Sequence, residues 1–239
     1  MNAERSTRIA VAFAREATKS PASCLCCVCI DVLAVAGAGI TIMSGGQAGP
    51  LCVSNPRIAA LEDLQFAIGQ GPCRDAYSSG RPVSAPLLGA SASARWPSFV
   101  ELAQSSGIGA VFAYPLAANG AKIGVLSLYQ EEGGELSTRQ HEDSLAIAEI
   151  LTETVLSLQD SAPAGTLAVG LQDAVAYRAE IYQASGMTSI QLQIPVAEAL
   201  LRIRSHAFAQ GETVAAVAGD IVARRLRLSD DRRELDEEV

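Results

Sequence analysis

An α+β domain followed by an all-α segment of three helices is the fold class that the sequence predicts. Three observations predict it. Two strand-like runs, "AVFAYPLA" and "KIGVLSLYQ", are joined by "ANGA", whose Asn119-Gly120 pair is a hairpin signal. Amphipathic stretches precede and follow the strands without strand–helix–strand alternation, which implies an antiparallel sheet flanked by helices. At "SAPAGT", residues 161–166, the pattern breaks, and everything beyond it reads as helix.

Residues 3–18 carry Ile9, Ala12, Phe13 and Ala17 at helical spacing. A second helix is expected over 24–35. "GAGITIMS" and "LCVSN" read as strands around a glycine-rich turn, "GGQAGP". "RIAALEDLQFAIGQGPCRDAYSSG" reads as helix, Gly-Pro turn, helix. "RPVSAP" reads as a short edge strand, because proline fits poorly in a central one. "SARWPSFVELAQSSG" holds one helix with Pro97 near its start. After the hairpin, Ser137 and Gln140 form a capping box that opens a long helix with Leu151, Val155 and Leu158 on its apolar side. The last segment shows three faces: Ala174, Tyr177, Ile181 and Ala184; then Val196, Leu200, Ile203 and Ala207 after Pro195; then Val214, Val217, Ala218 and Ile221.

The 239 residues allow one large domain or two smaller ones. With 49% hydrophobic but 5% aromatic residues, the core is built mainly from Ala, Val, Leu and Ile. The run "CLCCVCIDVLAVAGAGITIM" contains Asp31 in its middle, which would cost roughly 2.5–3.5 kcal/mol in a membrane. A buried helix and strand are expected there, in a soluble, cytoplasmic protein without membrane contact. The six cysteines fit that compartment. "CLCCVC" reads as small apolar side chains on a buried helix, with a metal or redox role for the Cys26-x-x-Cys29 pair as its rival. Cys52 and Cys73 stand single and distant. No metal site, catalytic constellation or cofactor is expected.

Net charge is −8, unevenly spread. Residues 1–170 hold 10 basic and 15 acidic side chains, residues 171–228 hold 6 and 5, and residues 229–239 hold 2 and 6. That balance argues against indiscriminate nucleic-acid binding but leaves room for a small arginine-bearing site.

The segments "LQFAIGQGPCRDAYSSGRPV", "WPSFVELAQSSGIGAVFAYPL" and "KIGVLSLY" resemble the GAF domains of actinobacterial regulators over residues 20–160. Residues 167–226 resemble an ANTAR domain, an RNA-binding module of transcription antiterminators. Arg178 falls at the family's first Arg, Ala184-Ser185-Gly186 at its Ala-Lys-Gly step, and Ala199, Arg204, Ala207 and Ala218 at the later offsets. Ser185 stands where many members have Lys, which removes a cation from the expected RNA face.

The resemblance implies a GAF sensor over 1–165, a three-helix ANTAR domain over 166–228 and an acidic tail over 229–239. It implies a homodimer paired through the helix around 138–160, a small-molecule ligand in the GAF domain and hairpin RNA of a leader transcript as partner. The expected RNA-binding residues are Arg178, Tyr182, Ala184, Ser185, Gly186 and Arg204. Gly186, which costs about 0.5–1 kcal/mol in a helix relative to Ala, would let RNA approach the backbone, and Tyr182 would stack a base. Arg224, Arg225 and Arg227 are expected to end the last helix. Two rivals are a sensor whose helical tail only dimerises or binds a protein, and a GAF-fold thiol reductase using Cys73.

Overall fold

A computed structural model of the chain describes residues 7–13, 23–44, 47–160 and 169–229. It divides into two compact units, Met1–Val175 and Ala176–Val239. In the first, a helical stretch at 7–13 (α1) and α2 (Ser23–Leu33) precede β1 (Gly37–Ser44) and β2 (Gln47–Val53). Then follow α3 (Pro56–Ile68), α4 (Pro72–Ser79), β3 (Val83–Ala85), α5 (Ala90–Arg95) and α6 (Pro97–Ser105). The hairpin β4 (Ala110–Ala118) and β5 (Ala121–Gln130) leads into α7 (Thr138–Asp160).

The five strands form one antiparallel sheet in the order β2-β1-β5-β4-β3. Asn119 and Gly120 turn the hairpin with φ of 49° and 81°, the positive pair that matches the strands' twist. At the head of α7, Gln140 N donates to Ser137 Oγ at 3.2 Å and Ser137 N donates to Gln140 Oε1 at 3.0 Å.

Two element boundaries differ from expectation. β2 begins at Gln47 and takes in Pro50, opposite Thr41. β2 is an edge strand, where proline is tolerated, and the register shifts beside it, between Ile40 and Thr41. The helix expected to begin near Pro97 is α6, and a short helix not expected, α5, precedes it, the two parted at Trp96 with φ −139° and ψ 65°. Proline disfavours helical backbone in the residue before it, and Pro97 starts α6.

Strand alternation sorts the side chains to two faces. Ile40, Phe112, Tyr114, Leu126 and Leu128 pack with Ile9, Phe13, Leu33, Ile147 and Leu151 from the helices α1, α2 and α7. On the other face Val111 and Tyr129 meet Ile58, Leu61, Trp96 and Phe99, and Met43, Ala113 and Val125 meet Cys73 and Ala76.

The cysteines require a correction. Cys52 is not single: it forms a disulfide with Cys26 across 26 residues of sequence. Packing α2 on β2 brings their Cα atoms to 6.1 Å, a nearness that linear spacing does not reveal. Cys29 is buried as expected, whereas Cys27 is exposed. Among the described residues no helix is long and apolar enough to cross a membrane.

The helices α8 (Val169–Leu192), α9 (Val196–Gln210) and α10 (Val214–Val222) complete the chain, and the second unit begins within α8. Its core is Ile181, Ala184, Ala199, Ile203, Ala207, Val217, Ala218 and Ile221. Gly211, at φ 66°, ends α9, and the Thr213 side chain caps α10 by accepting from Ala216 N. α10 stops at Val222, so Arg224, Arg225 and Arg227 lie beyond it rather than ending it. Arg224 turns the chain at φ 59°, and Arg225 Nε donates to Asp220 Oδ1 at 2.8 Å. The expected faces at Ala17, Ala174 and Tyr177, the break at 161–166 and the acidic tail over 230–239 lie outside the described residues or side chains.

Candidate functional site

Between α3, α4 and the sheet lies a cluster of buried polar side chains. Glu62 and Gln65, three residues apart, share the inward side of α3 with Ile58 and Leu61. Thr41, Ser127 and Tyr129 project toward them from β1 and β5. Gly39 pairs with Ser127, and its bareness makes the room: an added Cβ would come 3.0 Å from Glu62 Cγ and Cδ.

Glu62 is 6% exposed and accepts through both oxygens. Thr41 Oγ1 donates to Oε2 at 2.8 Å, and Tyr129 Oη donates to Oε1 at 2.5 Å. Gln65 Nε2 donates to Tyr129 Oη at 3.1 Å. The "GQGPC" turn closes the chain of bonds: Cys73 N donates to Gln65 Oε1 at 2.7 Å. Gly71 holds φ 139° there, and an added Cβ would lie 2.5 Å from that same Gln65 oxygen. Ser127 Oγ, fully buried, makes no hydrogen bond within normal limits among the described residues, although it lies near enough to Cys73 and Tyr129 to ease their ionisation. A weakly paired buried hydroxyl costs free energy, so Ser127 is the least satisfied member of the cluster.

Burial, and then the Glu62 charge, holds the Tyr129 phenol far above its usual range, which keeps it a donor. The same two causes, burial first, raise the Cys73 thiol well above its usual range. Arg74 pulls the other way with the smallest effect. Burial therefore disfavours the thiolate at Cys73, whose place in the first turn of α4 does not offset it. The cluster offers hydrogen bonds and shape. No group of residues that could hold a metal occurs among the described residues.

The expected RNA-binding residues lie on α8 and α9. Tyr182 is 44% exposed and Arg204 is half-buried. Arg178 belongs to α8, with its side chain outside the described ones. Gly186 is half-buried, and nothing lies within 4 Å of a Cβ added there, so no neighbour in the chain demands glycine. Ala184 and Ser185 need correcting as an accessible platform. Both are 0% exposed, because they continue the inward stripe of Ile181 and Thr188. Ser185 Oγ is spent on Ile181 O at 2.7 Å. The absent lysine is thus a buried position here, not a gap in an exposed patch. Along α9, Arg202, Ser205, His206 and Gln210 line a groove of 580 Å³ whose other wall includes Leu228.

Sequence reasoning selected Cys73 and did not select Glu62, Gln65, Ser127 or Tyr129. A signal was present in "IAALEDLQF": Glu62 and Gln65 fall on the stripe of Ile58 and Leu61.

No curated protein matches the chain significantly. A family profile described as GAF domain matches residues 4–155. Among solved structures, the GAF domain of a phosphoenolpyruvate-protein phosphotransferase from Coxiella burnetii aligns at 15% identity and TM-score 0.50, over 67% of this chain and 98% of that one. The corresponding domain from Acinetobacter aligns at 11% and 0.50, over 69% and 99%. A type II free methionine-R-sulfoxide reductase from Thermoplasma acidophilum aligns at 13% and 0.36, over 63% and 92%. At these identities the first two likenesses concern the fold alone, and the third is too loose to bear on Cys73.

Proposed function

The chain belongs to the GAF domain family, and from that premise we propose that it is a signal-responsive RNA-binding regulator acting by transcription antitermination. The GAF domain senses, and the C-terminal helices act as an ANTAR domain that binds hairpin RNA. The observation that carries this reading is positional. Ala184, Ala199, Ala207 and Ala218, the small residues of the ANTAR-like register, are all core positions of one helical unit. Arg204 and Gly186 of the same register keep surface, as does Tyr182 on α8. That division is what an RNA-binding helical domain needs: small residues for close packing, and a guanidinium, a ring and a bare backbone for splayed loop bases.

Binding one RNA fold more tightly than another is sufficient for control. A protein that holds the leader hairpins disfavours the terminator, and transcription continues. The buried polar cluster under α3 and α4 supports the sensing half, with Ser127 as its least satisfied group. α7 carries Leu145 and Leu156 exposed, which supports its role as the seam of a homodimer.

A second reading has an observation of its own. Leu201 and Phe208, seven residues apart on one side of α9, are 56% and 45% exposed. They favour a tail that binds a protein or a second copy of the chain.

RNA binding by the purified full chain separates the two. The probe is a two-hairpin leader RNA, with a disrupted-loop control. Loop-dependent binding that falls about tenfold or more in Arg204→Ala and in Arg178→Ala is expected from loss of a stacked or phosphate-bound guanidinium. Loop-independent binding, or binding indifferent to both arginines, sinks the antiterminator reading and leaves the protein-binding tail.

A further inference from the structure

An open cavity of 240 Å³ lies where β3 and β4 meet the first turn of α7. It sits on the sheet face opposite the buried polar cluster, since Phe112 and Tyr114 in its lining belong to the core beneath α2 and α7. Its sides are apolar: Pro82 just before β3 and Leu136 from the loop before α7, while Val83 lines it through its backbone, its side chain packing on the other sheet face. Its polar groups are few and convergent. Tyr114, buried to 2% exposure, brings its hydroxyl to 2.9 Å from His141 Nδ1, with the ring centroids 5.6 Å apart. Ser84 adds a hydroxyl.

Glu135 is the one lining residue with a fixed charge. It is near enough to Tyr114 to raise the phenol's pKa, beyond what burial does. Among the described residues it has no ion-pair partner.

We propose that this cavity is a second ligand site, separate from the buried cluster, for a small molecule carrying a protonated amine on a compact apolar body. A carboxylate at the rim takes the ammonium in a charge-assisted hydrogen bond. With the phenol donating to Nδ1, its oxygen keeps a lone pair for another ammonium N–H. Pro82 and Leu136 cover the apolar body. At roughly 30 Å³ per water-sized group, the space holds about eight heavy atoms. An anion of the same shape meets only Glu135's repulsion. Leu136 and His141 bracket the Ser137–Gln140 box that starts α7, so an occupant bears directly on the helix that leaves the domain. The proposal stands whether or not the helical unit binds RNA.

The chain's own histidines report the test. There are two, His141 and His206, and His206→Gln assigns their ring resonances. The full-length protein is titrated at neutral pH with benzylamine, with neutral benzyl alcohol and with benzoate. Benzylamine is expected to shift His141 saturably and leave His206 in place. Benzyl alcohol should bind about tenfold more weakly, and benzoate not at all. Glu135→Gln, at an exposed position that leaves the core untouched, should lower benzylamine affinity by about tenfold and leave benzyl alcohol unchanged. Ser84→Phe, which fills the space from the edge strand, should abolish the shift. Absence of a saturable His141 shift overturns the proposal. Equal benzylamine affinity in Glu135→Gln overturns the ligand class, because the carboxylate would then contribute nothing.

Discussion

Cys29 shows how one buried side chain ties stability to pH. Burial pushes its thiol from 9.0 up to about 12. In the unfolded chain the thiol ionises near the lower value, and in the folded chain near the higher. The unfolded state therefore loses its proton first, so stability is complete below about pH 9 and drains away as pH rises toward 12. The slope between them is about 1.4 kcal/mol per pH unit. Urea unfolding at about pH 8 and about pH 10.5 should show Cys29→Val losing about 2 kcal/mol less than the parent over that interval. Tyr129 and Cys73 titrate in both proteins and cancel in the difference. Parallel losses would mean that the Cys29 thiol does not stay neutral in the fold. At this scale the sequence was least legible. Glu62 and Gln65 read like ordinary polar residues of a surface helix until the rotation of α3 against the sheet is known. Cys73 drew notice for its chemistry, yet burial raises its thiol's pKa.

Among the elements, those with local causes were read best. The Asn119-Gly120 turn, the Ser137–Gln140 cap and the edge position of "RPVSAP" each follow from backbone preferences within a few residues. The β2 start and the α5–α6 break depended on context, one on an edge that tolerates Pro50, the other on the residue before Pro97. Two glycines make the element scale testable. Gly124 lies in β5 against β1, and a Cβ there would stand 2.2 Å from Thr41 O. Neither strand can yield without breaking the ladder, so Gly124→Ala should destabilise the protein by about 3 kcal/mol or more in urea unfolding. Gly186 lies in α8 with open space before it. Gly186→Ala should leave the fold intact or stabilise it by about 0.5–1 kcal/mol, while lowering hairpin-RNA affinity if RNA meets the backbone there. Unchanged affinity alongside the stability gain would remove Gly186 from the RNA face.

For the whole molecule, charge decides what kind of RNA binding is physically available. The chain carries −8, so a few arginines must attract phosphate against a repulsive background. If Arg178 and Arg204 make the contacts, the logarithm of affinity should fall with the logarithm of salt at a slope of about −1.5 to −2. A slope steeper than about −4 would require a wider cationic surface, and the α9 groove with Arg202 and His206 would be its first candidate. The expected division rests on a periodicity that changes from alternation to helical spacing after residue 160 and stays changed, whereas the two compact units part within α8, at Val175 and Ala176. Hydrophobic pattern, turn chemistry and caps act between near neighbours, and they alone determined the α+β class, the hairpin and the succession of helices. Tertiary structure decided which distant groups meet: Cys26 with Cys52, Glu62 with Thr41 and Tyr129, Tyr114 with His141. It also decided that Ala184 and Ser185 face inward. Those pairings depend on how elements rotate and stack, and burial then changes the chemistry of the groups they enclose.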